Sequence, residues 1–120
     1  MTEPISSEDL RQSLLEVEDK TAGTYQAIEA LDASEDELFL PRTVPTLEIL
    51  EIYERRWRMG RLEEIPGGRE FLEALRIFQG TEMLMVAIES PAGVTSVWVT
   101  PESRSVVGTL TFIAATGLGG

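Results

Sequence analysis

The chain has 120 residues, 21 acidic and ten basic side chains, and neither histidine nor cysteine. Those absences exclude a disulfide framework, a thiolate nucleophile, a Cys-ligated zinc or iron–sulfur centre, a Ser-His-Asp triad and an imidazole metal ligand. The net charge of −11 argues against the chain as a whole binding nucleic acid or an anionic membrane, since both are polyanions.

The first elements are helical. Ser6 or Ser7 can cap a helix that has Glu8 and Asp9 in its first turn, where the dipole favours carboxylates. Leu10, Leu14, Val17, Thr21, Thr24 or Tyr25, Ile28 and Leu31 follow in steps of three and four. Gly23 interrupts the pattern, so residues 7–32 are either one helix or two helices broken near Thr21–Thr24. Ser34-Glu35-Asp36-Glu37 fits a capping box but opens only a short turn before Pro41 and Pro45. Residues 39–46 read as an extended connector.

Thr46 can cap a helix running to Gly60, with a stripe of Leu47, Leu50, Tyr53 or Glu54, and Trp57, widened by Ile49 and Ile52. After the Pro66-Gly67-Gly68 break comes a second helix, REFLEALRIF, stopped at Gly80. There the period changes to two. Strands are expected over 82–90, 94–100 and 105–113, joined by turns at Ser90–Gly93 and Pro101–Arg104. Val106, Leu110 and Phe112 share a face in that reading. Gly108 interrupts it, which implies a bulge or close approach by a bulky neighbour such as Trp98.

The expected fold is α+β, with three to four N-terminal helices followed by a three-stranded antiparallel β-meander. It forms one domain: an acidic helical segment (1–38), two helices (46–80), the meander (82–113) and a flexible tail (114–120). Helices on one side leave a second sheet face carrying Trp98 and Val94, or Val97 and Val99. A homodimer through the sheet or the N-terminal helix would cover it.

Charge is uneven. Residues 1–40 hold 11 acids and two bases, residues 41–80 seven of each. Asp9, Glu16, Glu18, Asp19, Glu29 and the Glu35-Asp36-Glu37 run therefore form a negative surface able to steer a basic protein partner, or simply a solvated face.

Arg55, Arg56, Arg58 and Arg61 surround Trp57, a local composition for binding an anion or an acidic partner surface. The plainer account is a helix C-terminus whose arginines complement the dipole and pair with Glu51, Glu54, Glu63 and Glu64. Pro66-Gly67-Gly68-Arg69 could hold a phosphate at a helix start, but it lacks the P-loop pattern and reads better as a turn.

Glu51-x-x-Glu54 and Glu70-x-x-Glu73 resemble the ExxE motifs of all-helical nucleotide pyrophosphohydrolases, and paired carboxylates could hold Mg²⁺. Against this, Arg55 and Arg58 follow Glu51 and Glu54 by four residues, and Arg69 and Arg76 flank Glu73, as on a solvated ion-paired face. A C-terminal sheet also does not suit an all-helical fold.

The sequence reading is thus a non-enzymatic interaction protein of adaptor, inhibitor (immunity or antitoxin-like) or assembly-factor type, without cofactor. A carboxylate-dependent Mg²⁺ hydrolase is the alternative. The start MTEPISSEDL has neither a basic stretch nor an apolar one, and no apolar run reaches the ~20 residues of a membrane helix, so the expected setting is cytoplasmic.

Overall fold

Ser6 ends a two-residue strand, β1 (Ile5–Ser6), and starts the first helix, α1 (Ser7–Leu15), by accepting the Asp9 N–H on its Oγ at 3.1 Å. The computed structural model in which this is seen describes residues 3–65, 67–91 and 93–113, the last four of them by backbone alone. The anticipated tail at 114–120 lies outside the described residues.

The helical pattern over 7–32 resolves into two helices. The break falls at Glu16–Thr21, upstream of Gly23, and Thr21 caps α2 (Ala22–Ala33) through the Thr24 N–H. Gly23 is buried inside the first turn of α2, where a helix tolerates it more cheaply than at mid-length. Ser34 closes α2, and its Oγ accepts from Asp36 N–H at 3.2 Å, so the capping-box sequence makes a local turn.

The expected connector holds two strands. β2 (Leu38–Phe39) pairs with β1, and β3 (Arg42–Pro45) pairs with the strand that follows the helices. Next come α3 (Thr46–Arg58), a single 3₁₀ turn at Leu62–Glu64, and α4 (Gly68–Ile77). The meander is β4 (Glu82–Ser90), β5 (Gly93–Val99) and β6 (Val106–Ile113).

The main sheet is therefore four-stranded and antiparallel, in the order β3-β4-β5-β6, rather than three-stranded. The fold class stands: α+β, four helices before the meander. The missed strand is short, ends in proline and sits at the sheet edge, where proline is tolerated. Its pairing partners, Leu84 and Met83 against Thr43 and Val44, are some forty residues away, beyond any local pattern.

Strand alternation sends two sets of side chains to opposite faces. Leu84, Val86, Ile88, Val97 and Val99 meet Leu10, Leu14, Ala27 and Leu31 from α1 and α2. Met83 and Trp98 meet Ile49, Tyr53, Phe71 and Leu75 from α3 and α4. Helices thus cover both faces, and the Trp98 end of the face expected to be open is closed within the chain. Beyond that end the same face runs out to exposed Ala87 and Glu89.

A register shift between Trp98 and Val99 places Val106 opposite Val99, in the α1–α2 core, while Leu110 and Phe112 fall opposite Ser96 and Val94. The bulge turns Val106 into that core, and the side chains of Leu110 and Phe112, expected on its face, lie outside the described residues. Gly108 sits opposite Trp98, but the bulky side chain that requires it is Phe71: a Cβ there would lie 2.4 Å from Phe71 Cδ1.

On α3 the buried positions are Thr46, Ile49, Leu50 and Tyr53, while Leu47, Ile52 and Trp57 are half exposed. Thr46 is the first helical residue rather than the cap. Its N–H donates to the Thr81 carbonyl at 3.0 Å, and the two threonine hydroxyls lie 3.3 Å apart.

Candidate functional site

The acidic residues belong to one layer. Glu8 and Asp9 occupy the first turn of α1, and Ser7 N–H donates to the Glu37 carbonyl at 2.9 Å, which brings Glu35, Asp36 and Glu37 beside them. Glu16, Glu18 and Asp19 lie in the connection after α1. The structure thus divides the anticipated surface into two negative poles separated by α1, about 13 Å for nine residues. That exceeds the ~8 Å screening length at physiological salt, so each pole acts largely on its own.

All eight candidate carboxylates, Glu29 on α2 included, are exposed. The two bases of this segment are occupied. Arg11 pairs with Asp32, and Lys20 Nζ donates to the Val17 carbonyl at 2.9 Å. At the first pole Arg104 approaches Glu3 at 3.9 Å and accepts Ser13 Oγ–H on its carbonyl, beside a hollow of about 290 Å3 that Asp9 and Gln12 also line.

The arginine cluster lies on the other side of the sheet. Arg55, Arg56 and Arg58 fill the last turn of α3, and Arg61 follows it, held two-pronged by Glu64 at 3.2 Å. The pairs expected four residues apart do not form. Glu54 instead reaches Arg76 on α4 at 3.6 Å, and Glu63 takes Arg69 at 3.1 Å. Among the described residues Arg55, Arg56 and Arg58 enter no ion pair. Trp57, 50% exposed, already stacks under the Arg76 guanidinium at 5.1 Å, which occupies the ring that a base would use.

The paired carboxylates of the hydrolase alternative are separated. Glu51 and Glu54 border a groove on α3 with Leu47 and Gln79, whereas Glu70 borders a different cavity with Asp19. Among the described residues no group of three or more acidic side chains could hold a metal ion. The Gly67-Gly68 pair has a steric reason. A Cβ on Gly67 would come within 2.9 Å of Thr21 Oγ1, and one on Gly68 within 2.9 Å of the Leu62 carbonyl. Gly67 also has φ +72, which glycine adopts at least cost.

The cavity beside Asp19 was not visible in the sequence. It measures about 300 Å3 and lies along the first half of β6, between the N-terminal ends of α2 and α4. Phe71, Val106 and Val107 provide apolar wall, Thr21, Thr24 and Thr109 provide hydroxyls, and Asp19 and Glu70 are its charged members. Its parts come from three distant segments, although Gly67 and Gly108 marked two of the close approaches that shape it.

In the α3–α4 core, the Tyr53 hydroxyl and Trp98 Nε1 are buried without hydrogen-bond partners. Burial pushes the Tyr53 phenol well above its ordinary range, and nearby Arg56 acts in the opposite direction. Such a phenol stays neutral and is a poor general base. Comparison of the chain with protein-family models, with curated proteins and with solved structures gives no match.

Proposed function

We propose that the protein is a non-catalytic interaction protein whose α1–α2 layer binds a basic protein partner. The observation that carries this reading is the address of the charge: 11 acids against two bases in residues 1–40, with the candidate carboxylates exposed and both bases already engaged. A layer of one sign raises the encounter rate with a basic surface by one to three orders of magnitude at low salt. A rigid sheet behind it holds the two poles at fixed spacing. An inhibitor, adaptor or assembly factor acting in the cytoplasm would use such a surface, and a second copy of the chain would meet repulsion there.

The test is affinity capture from the source lysate at about 0.05 and 0.5 M NaCl. Wild type is compared with two charge reversals, Glu16→Lys with Glu18→Lys and Glu35→Lys with Glu37→Lys. The expected result is a basic protein retained at low salt, released at high salt and lost from at least one reversed variant. If wild type retains nothing that salt or reversal releases, the reading fails.

A further inference from the structure

We propose that the outer side of β6 docks a second copy of the chain, whose own β6 adds antiparallel to it about an axis at Leu110 and joins the two sheets. This goes beyond the interaction reading above and does not depend on it. A strand at a sheet edge presents a row of unpaired N–H and C=O groups, a template for another strand. β3 and β6 are the two edges of the main sheet, and they are built differently. β3 has four residues, begins with exposed Arg42 and ends in Pro45; short length, charge and proline all blunt an edge. β6 reads VVGTLTFI over eight residues, with no charge and no proline. Its bulge leaves only Val107, near the start, without a place in the register, and residues 108–113 follow β5 one for one. Among the described residues no strand pairs with its outer side.

The occupant follows from the order of the residues. Facing residues of an antiparallel pair either both aim their backbone groups into the shared ladder or both aim them away. The two sets alternate along a regular strand, so β6 meets its own copy only with one residue on the two-fold axis. With Leu110 there, the stretch 108–112 is paired throughout. Leu110 faces its counterpart, Thr109 faces Thr111 of the second copy, and Gly108 faces Phe112. Threonine opposite threonine and an aromatic opposite glycine are favourable combinations, and no like charges meet. The seven residues that follow β6, AATGLGG, hold three glycines, a poor composition for a strand that would cover this edge instead.

The helices leave room. α2 and α4 reach β6 around residues 106–109, where their N-terminal ends border the cavity. In the register centred on Leu110 the two Gly108 positions lie four residues apart along the strand, about 13 Å, which exceeds the ~8–10 Å between packed helices. The axis stands perpendicular to the sheet, so the acidic layers of both copies come to the same side, next to each other rather than face to face. Each copy carries a charge of −11, so repulsion weakens this contact at low salt and screening strengthens it.

The experiment exploits the absence of cysteine. Leu110→Cys, Thr109→Cys, Thr111→Cys and, on the other edge, Arg42→Cys are made singly in the full chain and oxidised alone and in pairwise mixtures. Facing residues have Cα atoms ~4.5–5.5 Å apart, within reach of a disulfide, whereas diagonal ones at ~7–8 Å are beyond it. Leu110→Cys should therefore form covalent dimers several times faster than Arg42→Cys. Thr109→Cys and Thr111→Cys should link poorly alone and readily to each other when mixed. Sedimentation of the wild type, which no substitution can unfold, should show a mass rising from 13.3 kDa toward twice that value. The rise is expected between about 5 and 500 µM protein, and more strongly in about 0.5 M than 0.05 M NaCl.

A wild-type mass constant over that range, or a dimer that high salt dissociates, overturns the proposal. So does cross-linking at 110 no faster than at 42, or self-linking strongest at 109 or 111. Each of these outcomes leaves capture of a basic partner untouched, and failed capture leaves the dimer standing.

Discussion

Phe71 organises its core at the level of single atoms. Its ring meets Tyr53 edge-on at 4.9 Å and lies 6.2 Å from Trp98, while its Cδ1 and Cγ occupy the space a side chain at position 108 would need. Gly108→Ala therefore overpacks the sheet–helix contact. The expected cost is about 1–3 kcal/mol, beyond the ~0.4–1 kcal/mol gained from a stiffer unfolded chain. A lower urea midpoint at constant slope would show it. A midpoint equal to wild type would mean Phe71 moves freely. Tyr53→Phe removes a buried hydroxyl that has no partner, so it should be neutral or stabilising at pH 7. The pH dependence has a definite sign. The unfolded phenol ionises near pH ~10, whereas the folded one holds its proton to higher pH. Above pH ~10 the native state binds the extra proton, so wild-type stability falls by up to about 1.4 kcal/mol per pH unit. Tyr53→Phe lacks this loss. Between pH 9 and 11 the urea midpoint of Tyr53→Phe should therefore pull ahead of the wild-type one, with exposed Tyr25 common to both.

Among the elements, α3 shows what apolar periodicity can and cannot decide. Leu47, Leu50, Tyr53 and Trp57 form a good stripe, and so do Ile49, Leu50 and Tyr53 with Thr46. Two overlapping apolar arcs leave the rotation of the helix open. It is settled by Thr46, whose backbone and hydroxyl are tied to Thr81 and which turns Ile49 inward at 4% exposure and Leu47 outward at 52%. Ile49→Ala should cost about 2–4 kcal/mol and Leu47→Ala at most about 0.5. Chemical denaturation of both variants checks this, and the opposite ranking would require α3 to sit rotated. The start of α1 and the meander were legible because Ser6 and the shift to period two are local signals, whereas the pattern over 7–32 left one helix or two open. The strand at Arg42–Pro45 was not, because its pairing with Met83 and Leu84 is what makes it a strand.

At the scale of the molecule, the sheet separates an acidic layer from one in which seven glutamates and six arginines nearly balance. The uneven charge could be read from the sequence. The division into two poles and the cavity along β6 could not, since residues 17–24, 67–71 and 106–109 meet only in the folded chain. The 1–38 segment is also no appendage: Leu10, Leu14 and Leu31 share a core with Leu84, Val86 and Val97. Folding therefore brings 11 acids together on one side of a sheet, and their repulsion opposes it. Salt screens that repulsion, but it also weakens the surface ion pairs, each worth about 0–1 kcal/mol. With Arg11–Asp32 and Arg104–Glu3 as the described pairs of this layer, repulsion outweighs attraction. Raising NaCl from about 0.05 to 0.5 M should therefore increase stability by about 1 kcal/mol, or a few degrees in Tm for a chain of this size. Glu35→Gln with Glu37→Gln should raise the low-salt Tm and flatten the salt response. Chloride is the anion to use, because sulfate would stabilise through surface exclusion whatever the charge. A Tm that falls with NaCl would mean the layer is held by its ion pairs, and a basic partner would then gain little from relieving its charge.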